Sequence, residues 1–126
     1  MPTITVETTV DDPHLHRRFA KNLSLWLRGE GVDINHVITK FVTADPRQVF
    51  SGPFPLDGGT GAHFAFVHCT VGETRPTAFL DRLAGRVVGE LAPHVAPERI
   101  FIQFVPVRPE LHRVGTELLN GVASHG

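Results

Sequence analysis

The chemistry that this sequence can support begins at Pro2, which follows Met1 and precedes a stretch typical of a β-strand. Removal of Met1, usual before a small residue, would leave Pro2 with a free secondary amine in place of an amide. An unperturbed α-amino group has a pKa of roughly 7.7–8.0, and burial beside cations lowers that pKa. We therefore expect Pro2 to be a base at neutral pH; a frayed, inert N-terminus is the alternative.

The residues after Pro2 predict the elements that would hold this amine in place. Alternating β-branched residues over 3–10 predict a first strand. Asp12 and Pro13 then supply a helix cap and first-turn proline, and apolar residues at intervals of three and four predict a helix that stops at Gly29. A second strand is expected over 36–43, which completes one strand–helix–strand unit.

A second unit of the same kind follows, with strands expected at 62–71 and 100–107 and a helix between them that ends before Pro93. The sequence therefore predicts one domain over 1–126, built from duplicated halves. The two halves span 1–44 and 62–107. The connecting segment spans 45–61 and the C-terminal tail spans 108–126. We expect a short edge strand near 47–51 within the connecting segment.

Two right-handed units side by side predict an α+β fold, with a four-stranded mixed sheet and both helices on one face. The third and fourth strands are largely apolar at both parities. A strand with that pattern is typically buried on both sides. We therefore expect a second copy of the chain to cover the face that carries no helix.

The composition argues against several other functions. The chain has 126 residues, 12 Lys+Arg and 13 Asp+Glu, so no strongly basic face indicates a nucleic-acid partner. We expect no membrane segment and no secretion signal. The single cysteine, Cys69, allows no internal disulfide and fits a reducing compartment, so a cytoplasmic location is expected.

Cofactor sites are not expected either. The segment 58–61 is glycine-rich but lacks the Gly-Lys-Ser/Thr ending of a phosphate loop. His63 and His68 differ by five along an expected strand, so they would point to opposite faces and could not share a metal ion. Cys69 is predicted to be a small buried hydrophobe rather than a nucleophile. We expect a cofactor-free protein with no metal.

The chain resembles the tautomerase superfamily, whose members use an N-terminal proline as catalytic base and assemble as trimers. Residues 1–7 and 65–68 are similar to strands of the 5-carboxymethyl-2-hydroxymuconate isomerases, which implies a role in aromatic degradation. Residues 97–103 are similar to the fourth-strand entry of the macrophage migration inhibitory factors, and Arg75 matches an arginine position in both families. The resemblance implies a tautomerase-like homotrimer with Pro2 as the catalytic residue.

The resemblance also implies a substrate site between subunits. Arg75 and Lys40 would supply positive charge to a carboxylate and to a developing enolate oxygen, although the isomerases carry arginines where this chain has Lys40. Phe101 would be an apolar wall and Gln103 a polar contact, both from a neighbouring subunit. In the alternative, Arg75 forms a structural ion pair, Lys40 extends its amine to solvent at the sheet edge, and the other two residues pack at the interface.

Three functions remain open at this point. The first is a keto–enol isomerase of a 2-oxo or 2-hydroxy-unsaturated carboxylic acid, with Pro2 as proton shuttle. The second is a hydratase or dehalogenase of an unsaturated acid on the same site, for which Glu7 or Glu73 is a weak candidate to activate water. The third is a trimeric ligand-binding protein in which Pro2 performs no chemistry.

Overall fold

The computed structural model describes residues 2–119, except for the side chain of residue 117. Its strands are β1 (Thr3–Thr8), β2 (Ile38–Thr43), β3 (Phe50–Ser51), β4 (Phe54–Pro55), β5 (Ala65–Gly72) and β6 (Ile100–Val107). Its helices are α1 (Pro13–Gly29), α2 (Thr77–Leu91) and α3 (Gly115–Leu119), with short 3-10 turns at Ile34–His36, Pro46–Gln48, Pro97–Arg99 and Pro109–Leu111.

The main sheet has four strands in the order β2-β1-β5-β6. β1 runs parallel to β2, β5 runs parallel to β6, and the central pair β1 and β5 is antiparallel. Each strand–helix–strand unit thus contributes one parallel pair, and the two pairs meet in the middle. The predicted α+β fold with a mixed four-stranded sheet and duplicated units is confirmed.

Both long helices pack on one face of this sheet. Asp12 caps α1 by accepting a hydrogen bond from the His14 N–H at 3.0 Å, and Pro13 occupies the first turn. The buried side chains of each helix recur every three or four residues: Leu15, Phe19, Leu23 and Leu27 in α1, and Phe79, Leu83, Val87 and Leu91 in α2. They form one hydrophobic core with alternate residues of β1 and β5.

Strand ends differ from the sequence prediction where side chains bind the backbone. β1 ends at Thr8 rather than at residue 10, because the Thr8 hydroxyl donates to the Phe64 carbonyl oxygen at 2.7 Å and accepts from the Val10 N–H at 3.2 Å. β2 begins at Ile38 rather than at residue 36, because Asp33 caps a 3-10 turn immediately before it. β5 begins at Ala65, three residues later than predicted.

The connecting segment contains a hairpin instead of an edge strand of the main sheet. β3 and β4 pair only with each other, with Phe50 opposite Pro55 and Ser51 opposite Phe54. The side chains of Phe50 and Phe54 are 58% and 70% exposed. The prediction of a strand near 47–51 is thus right about the strand and wrong about its partner.

We call the sheet surface opposite the helices the helix-free face. It carries three rows of side chains, each running across β2, β1, β5 and β6. The rows are Val42, Glu7, Phe66 and Phe101; Lys40, Thr5, His68 and Gln103; and Ile38, Thr3, Thr70 and Val105. The first row is mostly apolar, the middle row is polar and the third row is half apolar. On this face β5 carries Phe66, His68 and Thr70, so β5 is not apolar on both sides as the sequence suggested.

None of the helices within residues 2–119 combines the length and the apolar character needed to cross a lipid bilayer.

Candidate active site

Pro2 lies at one end of the main sheet, between the start of β2 and the end of β5, and we call this region the Pro2 corner. Its carbonyl oxygen accepts a hydrogen bond from the Ile38 N–H at 3.2 Å, and the residue is buried. On the other side of β1, Thr3 pairs with Thr70 near the end of β5. Two neighbouring strands therefore fix the backbone of Pro2, as the expected role of a positioned base requires.

Arg75 lies in the loop that leaves this same end of β5. Its backbone N–H donates to the Gly72 carbonyl oxygen at 3.1 Å, which closes a turn between β5 and α2. Its half-buried guanidinium lies over the ring of Phe79, with Cζ 4.7 Å from the ring centroid. Because β1 and β5 are antiparallel, the start of β1 and the Arg75 loop share one end of the sheet.

The structure also bears on the alternative in which Arg75 is a structural ion-pair partner. Among the carboxylates whose side chains the structure describes, none forms an ion pair with Arg75, and Glu73 is exposed in the same loop. The contact with the Phe79 ring involves no carboxylate, so none of the described side chains neutralises the charge of Arg75.

A small cleft of about 60 Å³ opens at the ends of β5 and β6, one strand away from the start of β1. It is lined by Thr70, Val71, Gly72, Val107, Arg108, Pro109 and His112. The backbone joins the cleft to the Arg75 loop, since the Glu73 N–H donates to the Val107 carbonyl oxygen at 3.1 Å. The Arg108 Nε lies 3.5 Å from the Glu110 carboxylate, so a cation and an anion form an ion pair at the rim of the cleft.

Lys40 lies away from the end of the sheet that Pro2 and the Arg75 loop share. It is exposed on the helix-free face in mid-β2 and pairs with Thr5, three residues after Pro2. That offset is about 10 Å along the strand. Within one chain, Lys40 therefore does not lie at the Pro2 corner, and its contact with a substrate stays a prediction.

Phe101 and Gln103 are also on the helix-free face. Gln103 is in the same row as Lys40, whereas Phe101 is one row farther from Pro2 and its ring stacks on that of Phe66 at 5.2 Å between centroids. Both residues are exposed, two strands away from β1. Within one chain they do not lie beside Pro2, so their predicted role depends on a neighbouring subunit.

Cys69, Glu7 and the described metal-ligating side chains do not form an alternative catalytic site. Cys69 is buried in β5, and desolvation raises the pKa of its thiol to about 12, so it is a neutral packing residue at physiological pH. Glu7 lies two residues beyond Thr5 on the helix-free face. Among the side chains that the structure describes, no three from His, Cys, Asp or Glu are close enough to hold a metal ion.

Comparison with known proteins gives the fold a context. No protein-family model and no curated protein matches the chain. A macrophage migration inhibitory factor homologue from Prochlorococcus marinus superposes with a TM-score of 0.72 at 18% identity, covering 90% of this chain and 95% of that one. The factor from Toxoplasma gondii gives 0.72 at 15% identity, with coverages of 90% and 96%.

An enzyme has the same architecture. A malonate semialdehyde decarboxylase inhibited by 3-bromopropiolate superposes with a TM-score of 0.69 at 17% identity, covering 94% of this chain and 95% of that one. At these identities the likeness is one of fold. The expected tautomerase-like fold of this chain is thereby confirmed.

Two features of the site were missed in the sequence. The contact between Phe79 and Arg75 was not predicted, although their spacing of four residues could have suggested it. Among the cleft residues, Val107 ends the last predicted strand, and Arg108 and His112 lie in the segment 108–126 that was treated as a tail. No sequence pattern marks them, because the cleft forms only when β6 pairs with β5.

Proposed function

We propose that this protein is a cofactor-independent tautomerase that acts on a 2-oxo or 2-hydroxy-unsaturated carboxylic acid. The observation that carries the proposal is the placement of Pro2. It is buried at the head of β1, held by the Ile38 N–H, and shares one end of the sheet with the Arg75 loop. A base and a carboxylate-binding cation at one corner are what a keto–enol isomerisation needs.

In the proposed reaction the free amine of Pro2, formed after Met1 is removed, accepts a proton from the 2-hydroxyl group of the enol. The electron pair of the O–H bond forms the carbonyl, and the double bond shifts toward the far carbon. The protonated amine then delivers its proton to that carbon, which regenerates the base. Arg75 binds the carboxylate through two N–H donors and holds the acid beside Pro2.

We propose that the protein assembles as a homotrimer in which a neighbouring subunit completes the site. Ile38, Val42, Phe101 and Val105 are large apolar side chains left exposed on the helix-free face of one chain. A solved protein of this fold, a fused 4-OT, is described as an asymmetric trimer; it superposes with a TM-score of 0.71 at 12% identity. In such an assembly, Phe101 and Gln103 of one copy are proposed to line the Pro2 corner of the next.

Lys40, like Phe101 and Gln103, is proposed to act from a neighbouring subunit. Since Lys40 lies about 10 Å along the sheet from Pro2, its ammonium is proposed to act on the substrate as a point charge across the subunit boundary. It would stabilise negative charge on the enolate oxygen. Arg75 is therefore the nearer cation and carries the carboxylate contact.

A hydratase or dehalogenase is the second candidate function, and the position of Glu73 favours it. This exposed carboxylate is two residues before Arg75 in the loop at the Pro2 end of the sheet, and its backbone is fixed to β6 by the bond to Val107. It could activate a water molecule while Pro2 protonates the unsaturated acid. Glu7, the other carboxylate considered, lies farther away on the helix-free face.

The test uses protein from which Met1 is absent, verified by intact mass. A panel of 2-hydroxymuconate-type and 2-oxo acids is incubated with the protein and the products are identified by mass, because hydration adds one water molecule to the acid whereas ketonisation leaves its mass unchanged. Ketonisation above the uncatalysed rate, followed by ultraviolet absorbance, supports the tautomerase, and a product heavier by one water supports the hydratase. A Glu73→Gln variant serves as the matched control, since it should spare ketonisation and abolish hydration. Binding without turnover would indicate the ligand-binding alternative.

A further inference from the structure

The side chain beneath Arg75 has a distinctive environment. Phe79 is buried in the first turns of α2, and the Cζ atom of Arg75 lies 4.7 Å from its ring centroid. The ring of Trp26 from α1 stacks against Phe79 with centroids 6.0 Å apart and an interplanar angle of 26°. Phe79 therefore cannot move away from Arg75 without disturbing the contact between the two helices.

Stacking of this kind restrains an arginine without consuming its hydrogen bonds. The guanidinium cation is attracted to the negative face of the ring, and this attraction takes up no carboxylate partner, so the five N–H donors of the group are not committed to an ion pair. An ion pair with a carboxylate would restrain the side chain too, but it would occupy those donors. None of the described carboxylate side chains forms such a pair with Arg75.

The backbone restrains the same arginine from the other end. The turn closed between Gly72 and Arg75 fixes the Cα position, and the Phe79 N–H donates to the Pro76 carbonyl oxygen at 3.0 Å where α2 begins. Backbone and ring together leave the long side chain few orientations. An arginine that is already oriented loses less conformational entropy when it binds a carboxylate.

We propose that Phe79 is a positioning residue for the substrate: its ring holds the guanidinium of Arg75 with the donor edge free for the carboxylate of a 2-oxo acid. The inference rests on the proposed function, in which Arg75 binds that carboxylate. It adds a residue that does not touch the substrate yet sets its affinity.

The test removes or weakens the ring at position 79 and measures carboxylate binding without turnover. Pyruvate is titrated into the full-length protein while the Nε–Hε signal of Arg75 is followed by NMR, which gives a dissociation constant. Phe79→Leu should raise that constant about two- to fivefold, the range expected for an exposed cation–π contact. Replacement of Phe79 by 4-fluoro- and then pentafluoro-phenylalanine should weaken binding in steps, because fluorine drains the ring face of negative charge at nearly constant volume.

The matched control is Phe19→Leu. Phe19 is buried in α1 and contacts Phe41 edge-on at 5.4 Å between centroids, so its loss should cost stability as Phe79→Leu does. It should leave the dissociation constant of pyruvate unchanged. The upfield ring-current shift of the Arg75 Hε signal should likewise vanish in Phe79→Leu and persist in Phe19→Leu.

The outcomes separate this inference from the proposed function. If pyruvate binds Arg75 and Phe79→Leu weakens it while no acid is turned over, the inference stands and the tautomerase fails. If turnover occurs with KM and kcat indifferent to Phe79→Leu and to the pentafluoro ring, the tautomerase stands and the inference is overturned. Failure of pyruvate to perturb the Arg75 signal, or equal weakening by Phe19→Leu, also overturns the inference.

Discussion

The Ile38 N–H donates to the carbonyl oxygen of Pro2 at 3.2 Å, so the pairing of β1 with β2 extends to the residue that precedes Thr3. The bond engages Pro2 through its carbonyl group and makes no demand on its nitrogen. A residue at a chain end would normally fray. Here the hydrogen bond to β2 fixes the backbone of Pro2. A terminal amine needs such a fixed position if it is to be a base aligned with a substrate.

The two predicted substrate cations should respond differently to exchange. Arg75→Lys removes both the paired donors and the planar group that stacks on Phe79, whereas Lys40→Arg keeps a point charge. A charge-assisted hydrogen bond contributes on the order of 1.5–3 kcal/mol. We therefore expect Arg75→Lys to lower kcat/KM roughly tenfold or more, and Lys40→Arg to change it little.

Steady-state kinetics on the two variants also locate the effect. A loss carried by KM would indicate a contact equal in ground and transition states, and a loss carried by kcat would indicate one that forms as the enolate develops. Equal and negligible effects at both positions would contradict the placement of the substrate beside Arg75.

Assembly can be tested at a matched pair of exposed apolar residues. Val105 on the helix-free face is 40% exposed and Leu25 on α1 is 39% exposed. Sedimentation at micromolar concentration should show a trimer for the native protein. Val105→Lys should shift it toward monomer because an unpaired ammonium would be buried at the interface, whereas Leu25→Lys should not. A native monomer would remove the shared site.

The sequence allowed much of this fold to be predicted, for local reasons. The bounds of α1 followed from the Asp12 cap, Pro13 and the terminal glycine, and β6 was predicted with the bounds that it has. These elements are determined by residues within the element or next to it. The two strand–helix–strand units and the mixed character of the sheet followed from the duplication, whereas the strand order was not predicted.

What could not be predicted depends on contacts between distant residues. β1 ends early because Thr8 binds the backbone of Phe64, which is 56 residues away. The separation of Lys40 from Pro2 follows from the register of β2, and composition alone does not give a register. The cleft beside Thr70 needs two parallel strands to end together.

Alkaline pH should destabilise the protein through Cys69. Burial raises the pKa of its thiol to about 12, above the roughly 8.5 of an exposed cysteine. The native state therefore keeps the proton that the unfolded state loses, so stability is unaffected below about pH 8.5 and falls between there and pH 12. Urea midpoints from pH 8 to 11 should fall in the native protein and fall less in Cys69→Ala. Parallel slopes would show that other groups cause the loss.

The thiol should also be chemically quiet in the folded state. A maleimide added at pH 7 should react with Cys69 only at the rate at which the protein opens, and rapidly in urea. Fast labelling of folded protein would contradict the buried, neutral assignment.

The central claim is that the free amine of Pro2 performs the proton transfer. The most direct test compares kcat/KM of the Met1-free protein with kcat/KM of the same protein carrying one added alanine ahead of Pro2. The addition turns the amine into an amide without basicity and changes nothing else in the chain. We expect kcat/KM of the Met1-free protein to rise with pH through a single pKa below the α-amino range of roughly 7.7–8.0, and the extended protein to keep its sedimentation behaviour and lose turnover. Unchanged turnover in the extended protein would contradict the proline mechanism.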